Sequence, residues 1–293
     1  MIIDAHYHLD ERMERIGVLI EKMDRHGIGK TALIAAVVDP FKVDHLAEFL
    51  SGLIRKLLMG PFRPAGLLGY DSTVTGKGRF KILTKTYSLY PEPDNGRVSA
   101  AMKGYPDRFY GWIFINPRVH DPLAEIEKRG QEPGWVGVKC HPFWHQYGVE
   151  KLQAVAPYCA EKGLPLLIHL GAKKGEGDFR YLPDRFPDLK IIYAHAGVPF
   201  YRKLWEDIRG RKNVWIDLSS PYLNEHLRNE AVKALGPERC IFGSDGPFGY
   251  EDQEGGYDHG AIIREIDRFP LSQREKERIL SGNFLEILGK EEA

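Results

Sequence analysis

Short apolar runs, many of them β-branched, recur along the chain; each ends in a polar residue and gives way to a segment with helical spacing. Eight such runs stand out, at residues 2–8, 30–38, 109–115, 135–141, 164–170, 189–195, 213–218 and 239–244. Most are apolar at successive positions rather than alternating, which is the pattern of a strand covered on both faces. Helical segments between them make neighbouring strands parallel, with right-handed crossovers. Eight units of this kind in 293 residues predict an α/β fold, a (β/α)8 TIM barrel forming one domain over residues 1–293.

The helical segments carry their own punctuation. Met13, Ile16, Leu19, Ile20 and Met23 form an apolar stripe that stops at Gly27. Asp121 before Pro122 reads as an N-cap with proline at the first helical position, and Ser272 with Glu275 reads as a capping box. One stretch breaks the rhythm. Residues 60–104, rich in Gly, Pro and Tyr, intervene between the second and third strands and are expected to form an irregular insertion, with a lid as its functional reading. An open doubly wound sheet would place a dinucleotide fingerprint after the first strand. The only approximation, Gly27-Ile28-Gly29-Lys30-Thr31-Ala32, falls between a helix and the following strand, the wrong order for holding a pyrophosphate.

Composition narrows the class. Lys and Arg number 41 and so do Asp and Glu, so the chain is formally neutral, and 43% of it is hydrophobic. This excludes a disordered chain, which needs low hydrophobicity and a large net charge. It also argues against nucleic acid or an anionic membrane as partner, since both call for a basic excess. No apolar run approaches the roughly 20 residues of a membrane span, and residues 1–4 lack a basic segment leading into an apolar one. Cys140, Cys159 and Cys240 are odd in number, form no CxxC pair and sit among apolar residues, as reduced core thiols do. The expectation is a cytoplasmic protein acting on a small molecule, with a homodimer as the fold-level prior.

The chemistry lies in the histidines, of which there are eleven. His6 and His8 end the first predicted strand, His141 the fourth, His169 the fifth and His195 the sixth, while Asp245 directly follows the eighth. In a parallel barrel all strand carboxyl ends open on one face, where active sites of this fold are built. Residues i and i+2 of a strand point the same way about 7 Å apart, so His6 and His8 can reach one ion. Imidazoles with a carboxylate form an N/O site that favours zinc, with manganese, iron or cobalt accepted. His26, His45, His120, His226 and His259 lack this placement and are read as hydrogen-bonded structural residues. Lys139, one inward step before His141, is expected to pair with a buried acid such as Asp4 or Asp217, unless a second ion binds there. His141, Arg118 and Trp144 are candidate substrate contacts: Arg118 as a fork for a carboxylate, Trp144 with Phe143, Tyr147, Tyr250 and Tyr257 as walls. Ser219 and Ser220 lack a nucleophile signature and are read as polar lining.

The motifs Ile3-Asp4-Ala5-His6-Tyr7-His8, Gly137-Val138-Lys139-Cys140-His141-Pro142, Ile168-His169, Ala194-His195-Ala196-Gly197, Phe242-Gly243-Ser244-Asp245 and Gly282-Asn283-Phe284 span almost the whole chain. Together they resemble the amidohydrolase superfamily, and within it the amidohydrolase-2 group that includes aminocarboxymuconate-semialdehyde decarboxylase. The resemblance implies that His6, His8, His169 and Asp245 hold one divalent ion and that His195 polarises its water. In binuclear relatives a carboxylated lysine bridges two ions at the end of the fourth strand. Lys139 stands one step short of that place. A bound cation acidifies water, and a carboxylate such as Asp245 can take the proton and return it to a leaving group. The expected activity is hydrolysis of an amide, ester or lactone by metal-activated water. The alternative is a metal-dependent nonoxidative decarboxylation of a small carboxylated substrate.

Overall fold

The computed structural model describes residues 1–43 and 45–290; the side chain of His45, assigned a structural role above, lies outside the described residues. The eight runs become eight strands: β1 (Ile2–Leu9), β2 (Ile28–Ala35), β3 (Phe109–Ile115), β4 (Trp135–Cys140), β5 (Leu166–Ile168), β6 (Ile191–Tyr193), β7 (Val214–Asp217) and β8 (Cys240–Ile241). They follow one another in a single parallel sheet in chain order. The sheet closes where the Ala5 N–H donates to Phe242 O (3.1 Å), Asp245 N–H to His6 O (2.7 Å) and His8 N–H to Gly246 O (2.7 Å). Gly243 permits this approach, since a Cβ there would lie 2.8 Å from that of His6. β5, β6 and β8 are shorter than their apolar runs. Single hydrogen bonds continue beyond β5 and β6, from His169 N–H to Cys140 O (3.0 Å) and Ala194 N–H to Ile168 O (2.9 Å). β2 starts at Ile28 because Ile28 pairs with Ile2.

Among the helices, α1 (Ile16–Arg25) is followed by Gly27 at φ 69°, a left-handed conformation that glycine adopts without strain. Asp121 caps the helix Pro122–Gly130, and Ser272 with Glu275 forms the expected capping box. The three cysteines are free and buried. No helix among the described residues is long and apolar enough to cross a membrane.

The insertion between β2 and β3 is in place, and its segments are folded. Helices α2 (His45–Met59) and α3 (Arg63–Asp71) precede a three-stranded antiparallel sheet of Val74–Thr75, Arg79–Ile82 and Lys85–Ser88, after which α4 (Asn95–Gly104) leads into β3. The excursion thus begins ahead of residue 60, with α2. Fully buried Arg228 fastens the loop after β7. It donates to Leu218 O (2.7 Å), Ser220 O (2.7 Å) and the Tyr250 hydroxyl (2.9 Å), and pairs with Glu265 at 2.6 Å.

Candidate metal centre

The strand ends bring His6, His8, His141, His169, His195 and Asp245 to one side of the barrel, over an interior that buries Asp4, Lys139 and Asp217 completely. Three ligand atoms, one each from His6, His195 and Asp245, lie within 4.8 Å of one another. That is close to the spread of donors around a single ion, about 4 Å across. His8 Nε2 is 3.3 Å from Asp245 Oδ1, and His169 Nδ1 is 3.1 Å from His195 Nε2. The backbone holding these groups is strained: His195, Ala196, Ser220 and Asp245 all have positive φ (54°, 52°, 78° and 62°). Side chains at such positions persist where surrounding structure over-determines them, commonly at functional sites.

The hydrogen bonds beneath the cluster orient its rings. Asp217 Oδ2 accepts from His6 Nδ1 at 2.8 Å, which leaves the His6 Nε2 lone pair facing the site. The Ser219 hydroxyl donates to Asp217 Oδ1 (2.5 Å), so its oxygen accepts from His195 Nδ1 (2.8 Å) and His195 Nε2 also carries a lone pair. The Tyr70 hydroxyl, supplied by α3, is hydrogen-bonded to His169 Nε2 (2.7 Å) and lies 3.3 Å from Leu170 O, which fixes the orientation of the His169 ring with Nδ1 toward the site. Burial lowers the pKa of His6, His8, His169 and His195, the last to about 4 despite the nearby acids, so the rings are neutral. Burial alone would raise the Asp245 carboxyl, but the His195, His8 and His6 imidazoles facing it outweigh that and hold it well below the usual range. The result is a carboxylate and several imidazoles converging on one place, with His169 Nδ1 and His195 Nε2 within hydrogen-bond distance of each other. A donor set of this kind fits a divalent cation.

Lys139 takes a different partner from either acid expected. Its Nζ lies 3.2 Å from His6 Nε2, while Asp4 accepts from the Ser244 N–H (2.9 Å) and hydroxyl (2.5 Å) and Asp217 is occupied by His6, Ser219 and His195. Burial lowers the Lys139 ammonium to about 8, with Asp217 and Asp245 opposing the drop, and raises the Asp4 carboxyl to about 6 against its hydrogen bonds from Ser244 and His6.

His141 accepts the Trp144 N–H at Nδ1 (3.0 Å), capping the short helix Pro142–His145 and leaving its Nε2 as an N–H donor. It stacks on His169 (centroids 4.1 Å apart) and on Trp144 (4.3 Å), and both His141 and Trp144 line the cavity above the histidines. The Trp144 indole N–H has no partner among the described residues. Of the other aromatic candidates, Phe143 packs on Tyr70, Tyr147 accepts the His141 N–H, Tyr250 binds Arg228, and Tyr257 donates to Ser244 O. These four brace the site rather than wall it. Ser220 lines the cavity; Ser219 is part of the network below it. His120 accepts the Asn116 N–H and His259 meets Glu14, both structural contacts.

Arg118 does not join the site. It is exposed, absent from the cavity wall, and donates to the carbonyls of His145 (3.1 Å) and Gln146 (3.4 Å). Arg118→Ala is accordingly expected to leave kcat/KM within about threefold of wild type and to act mainly on stability, by under about 1 kcal/mol. Steady-state kinetics and thermal melts on the same preparation check both. A large rise in KM would restore its role as a carboxylate fork.

Tyr70 is the member of the site that spacing alone does not reveal, because it comes from the insertion and meets His169 only in three dimensions. Asp217 carried a weak signal: an acid closing the seventh apolar run, on the same face as the histidines.

A family model described as Amidohydrolase matches residues 3–290. No curated protein sequence matches. Among solved structures, 4-oxalomesaconate hydratase from Rhodopseudomonas palustris aligns at TM-score 0.62 and 16% identity, covering 99% of this chain and 96% of that one. A proposed 2-pyrone-4,6-dicarboxylic acid hydrolase from Pseudomonas putida gives 0.60 and 17%, covering 100% and 98%. The 2,6-dihydroxybenzoate decarboxylase from Rhizobium gives 0.59 and 13%, covering 98% of each. At these identities the likeness is one of fold.

Proposed function

The chain belongs to the amidohydrolase family, and from that premise we propose that it is a metal-dependent hydrolase cleaving an amide, ester or lactone bond of a small molecule. The observation that carries the reading is the convergence of the Asp245 carboxylate with the imidazoles of His6 and His195, whose ligand atoms lie within 4.8 Å of one another, beside His8 and His169. His6 and Asp245 are the ligands on which the resemblance and the geometry agree, and His8 and His169 join them by the resemblance, while His195 stands beside Asp245. Imidazole and carboxylate donors suit zinc best, with manganese, iron and cobalt as competitors.

When bound, the ion supplies Lewis-acid polarisation of a carbonyl and acidification of a water. The chain does the rest. Asp245, held ionised, takes a proton on its carboxylate and returns it to the departing group. His195, fixed through Ser219 to Asp217, keeps a neutral ring beside Asp245 Oδ2 at 3.8 Å and orients the nucleophile. His141, its Nδ1 engaged by the backbone, offers Nε2–H to a developing oxyanion, and the Trp144 indole N–H offers a second donor. The insertion covers the mouth with apolar side chains and limits the access of bulk water, acting as the lid.

Removing the ion with a chelator is expected to lower turnover about 10³-fold or more, with recovery on adding zinc, since the ion contributes several kcal/mol to the transition state. Metal analysis of the purified protein should find one ion per chain. Screening amides, esters, lactones and carboxylated aromatics for acid release against carbon dioxide release separates hydrolysis from decarboxylation, a reaction named for one of the fold's relatives. Full activity in metal-free protein would defeat the proposal.

A further inference from the structure

We propose that two copies of this chain pair through the outer face of α2, antiparallel about a two-fold axis at Gly52. Five of the eleven large hydrophobic side chains that are exposed among the described residues fall within residues 46–68. Three of them, Leu46, Phe49 and Leu53, are 56%, 67% and 46% exposed and recur at intervals of three and four, so they share one face of α2. The other sides of the helix are occupied. Ala47, Leu50, Ile54 and Leu58 line the cavity above Asp245, and Leu57 packs against Gly66 of α3, where a Cβ would lie 3.0 Å from that of Leu57. A helix that is apolar all round is a buried helix, and in the single chain the outer face of α2 is uncovered. Gly52 lies on that face. Glycine is unfavourable inside a helix, and nothing in this chain asks for one here: a Cβ would meet only Arg55 Nη2, at an ordinary 3.6 Å. Its use is to let a second backbone approach.

The charges identify the occupant as a second copy. Glu48 and Lys56 stand four residues to either side of Gly52, and both are exposed. A two-fold axis through Gly52 sets Glu48 of each copy beside Lys56 of the other, so two ion pairs form at once. Phe49 of the partner subunit then enters the groove between α2 and the helix Glu225–Leu235, whose apolar lining is Phe49, Leu53, Met59 and Leu227. The groove carries both signs of charge, Glu48 and Glu230 with Arg55, Lys56 and Arg202. That mixture suits an identical surface and lacks the basic excess that a membrane surface calls for. Pairing there braces the roof of the cavity from outside, while Arg55 ties it to Pro221 O (3.3 Å) and Tyr222 O (3.0 Å) of the loop after β7.

Sedimentation velocity of the full chain over a range of concentrations tests the pairing without turnover, so it stands or falls apart from the hydrolase reading. The wild type should sediment as a species of twice 33.4 kDa. Gly52→Arg and Phe49→Asp should each raise the dimer dissociation constant at least about a hundredfold, because each change is met twice across the axis. Phe49 is mostly exposed and Gly52 has room for a side chain, so the circular dichroism of both variants should match the wild type. Glu48→Lys should weaken the dimer about tenfold, as should Lys56→Glu, and the two together should restore it. That restoration separates the pairing of two α2 helices from contact with any other partner. A monomer at every concentration, a dimer indifferent to Gly52→Arg and Phe49→Asp, or a double variant no tighter than the single ones would overturn the inference. So would a monomeric chain that floats with phosphatidylserine–phosphatidylcholine vesicles, since a lipid surface would then cover this face.

Discussion

Asp245→Asn is expected to lower kcat by about 10³-fold while the protein still folds. The carboxylate is the anionic group of the cluster, able both to accept a proton and to hold a cation, and it faces His6 at 3.4 Å, His8 at 3.3 Å and His195 at 3.8 Å. Asparagine keeps the shape and the oxygen but loses the charge and the basicity. It is also the substitution best suited to the backbone, because Asp245 sits at φ 62° and asparagine tolerates that region better than most residues. The Asp245 N–H bond to His6 O, which helps close the barrel, is made by the main chain and survives. The loss should therefore appear in kcat and in bound metal, with the melting temperature little changed. Activity within about tenfold of wild type would remove Asp245 from the chemistry.

That the strand-end residues could be read from the chain follows from the geometry of parallel sheets. Once residues 2–8, 135–141, 164–170 and 189–195 are recognised as strands running the same way, their final histidines must share a face whatever the intervening loops do. What spacing does not encode is which side chain answers which. Lys139 was expected to meet an acid, but Asp4 is claimed by Ser244 in the segment after β8, and His6 meets the lysine instead. Arg118 follows an Asn-Pro turn, as a substrate fork can, yet two loop carbonyls lie nearer than the cavity. The insertion was legible as an interruption. Which of its side chains meet the site was not, because Ala47, Leu50, Ile54 and Leu58 become a cavity wall, and Tyr70 a partner for His169, only after α2 and α3 fold back over the barrel mouth.

Asp217→Asn should be the most disruptive single change beneath the site, reducing stability by about 3 kcal/mol and metal affinity about 10- to 100-fold. Asp217 is fully buried at the end of β7 and accepts four hydrogen bonds: from His6 Nδ1 (2.8 Å), the His195 N–H (2.8 Å), the Ser219 N–H (3.1 Å) and the Ser219 hydroxyl (2.5 Å). Burial would raise its carboxyl, but His6, His195 and Ser219 reverse that and hold it well below the usual range, so it is an anion at neutral pH. An amide offers one oxygen where the carboxylate offers two, and its NH₂ must then face either His6 Nδ1–H or the Ser219 donors. Facing His6, it drives the ring to the other tautomer, in which Nε2 carries the proton and is lost as a ligand. Facing Ser219, it turns the hydroxyl away and releases His195. In both arrangements a histidine of the cluster loses its orientation, so metal affinity should fall even though Asp217 itself stands outside the donor set. Denaturant melts with and without zinc separate the two effects: the metal-free variant reports the lost hydrogen bonds, and the diminished stabilisation by zinc reports the misdirected imidazole. Should zinc stabilise the variant as much as the wild type, Asp217 supports the barrel and does not orient the centre.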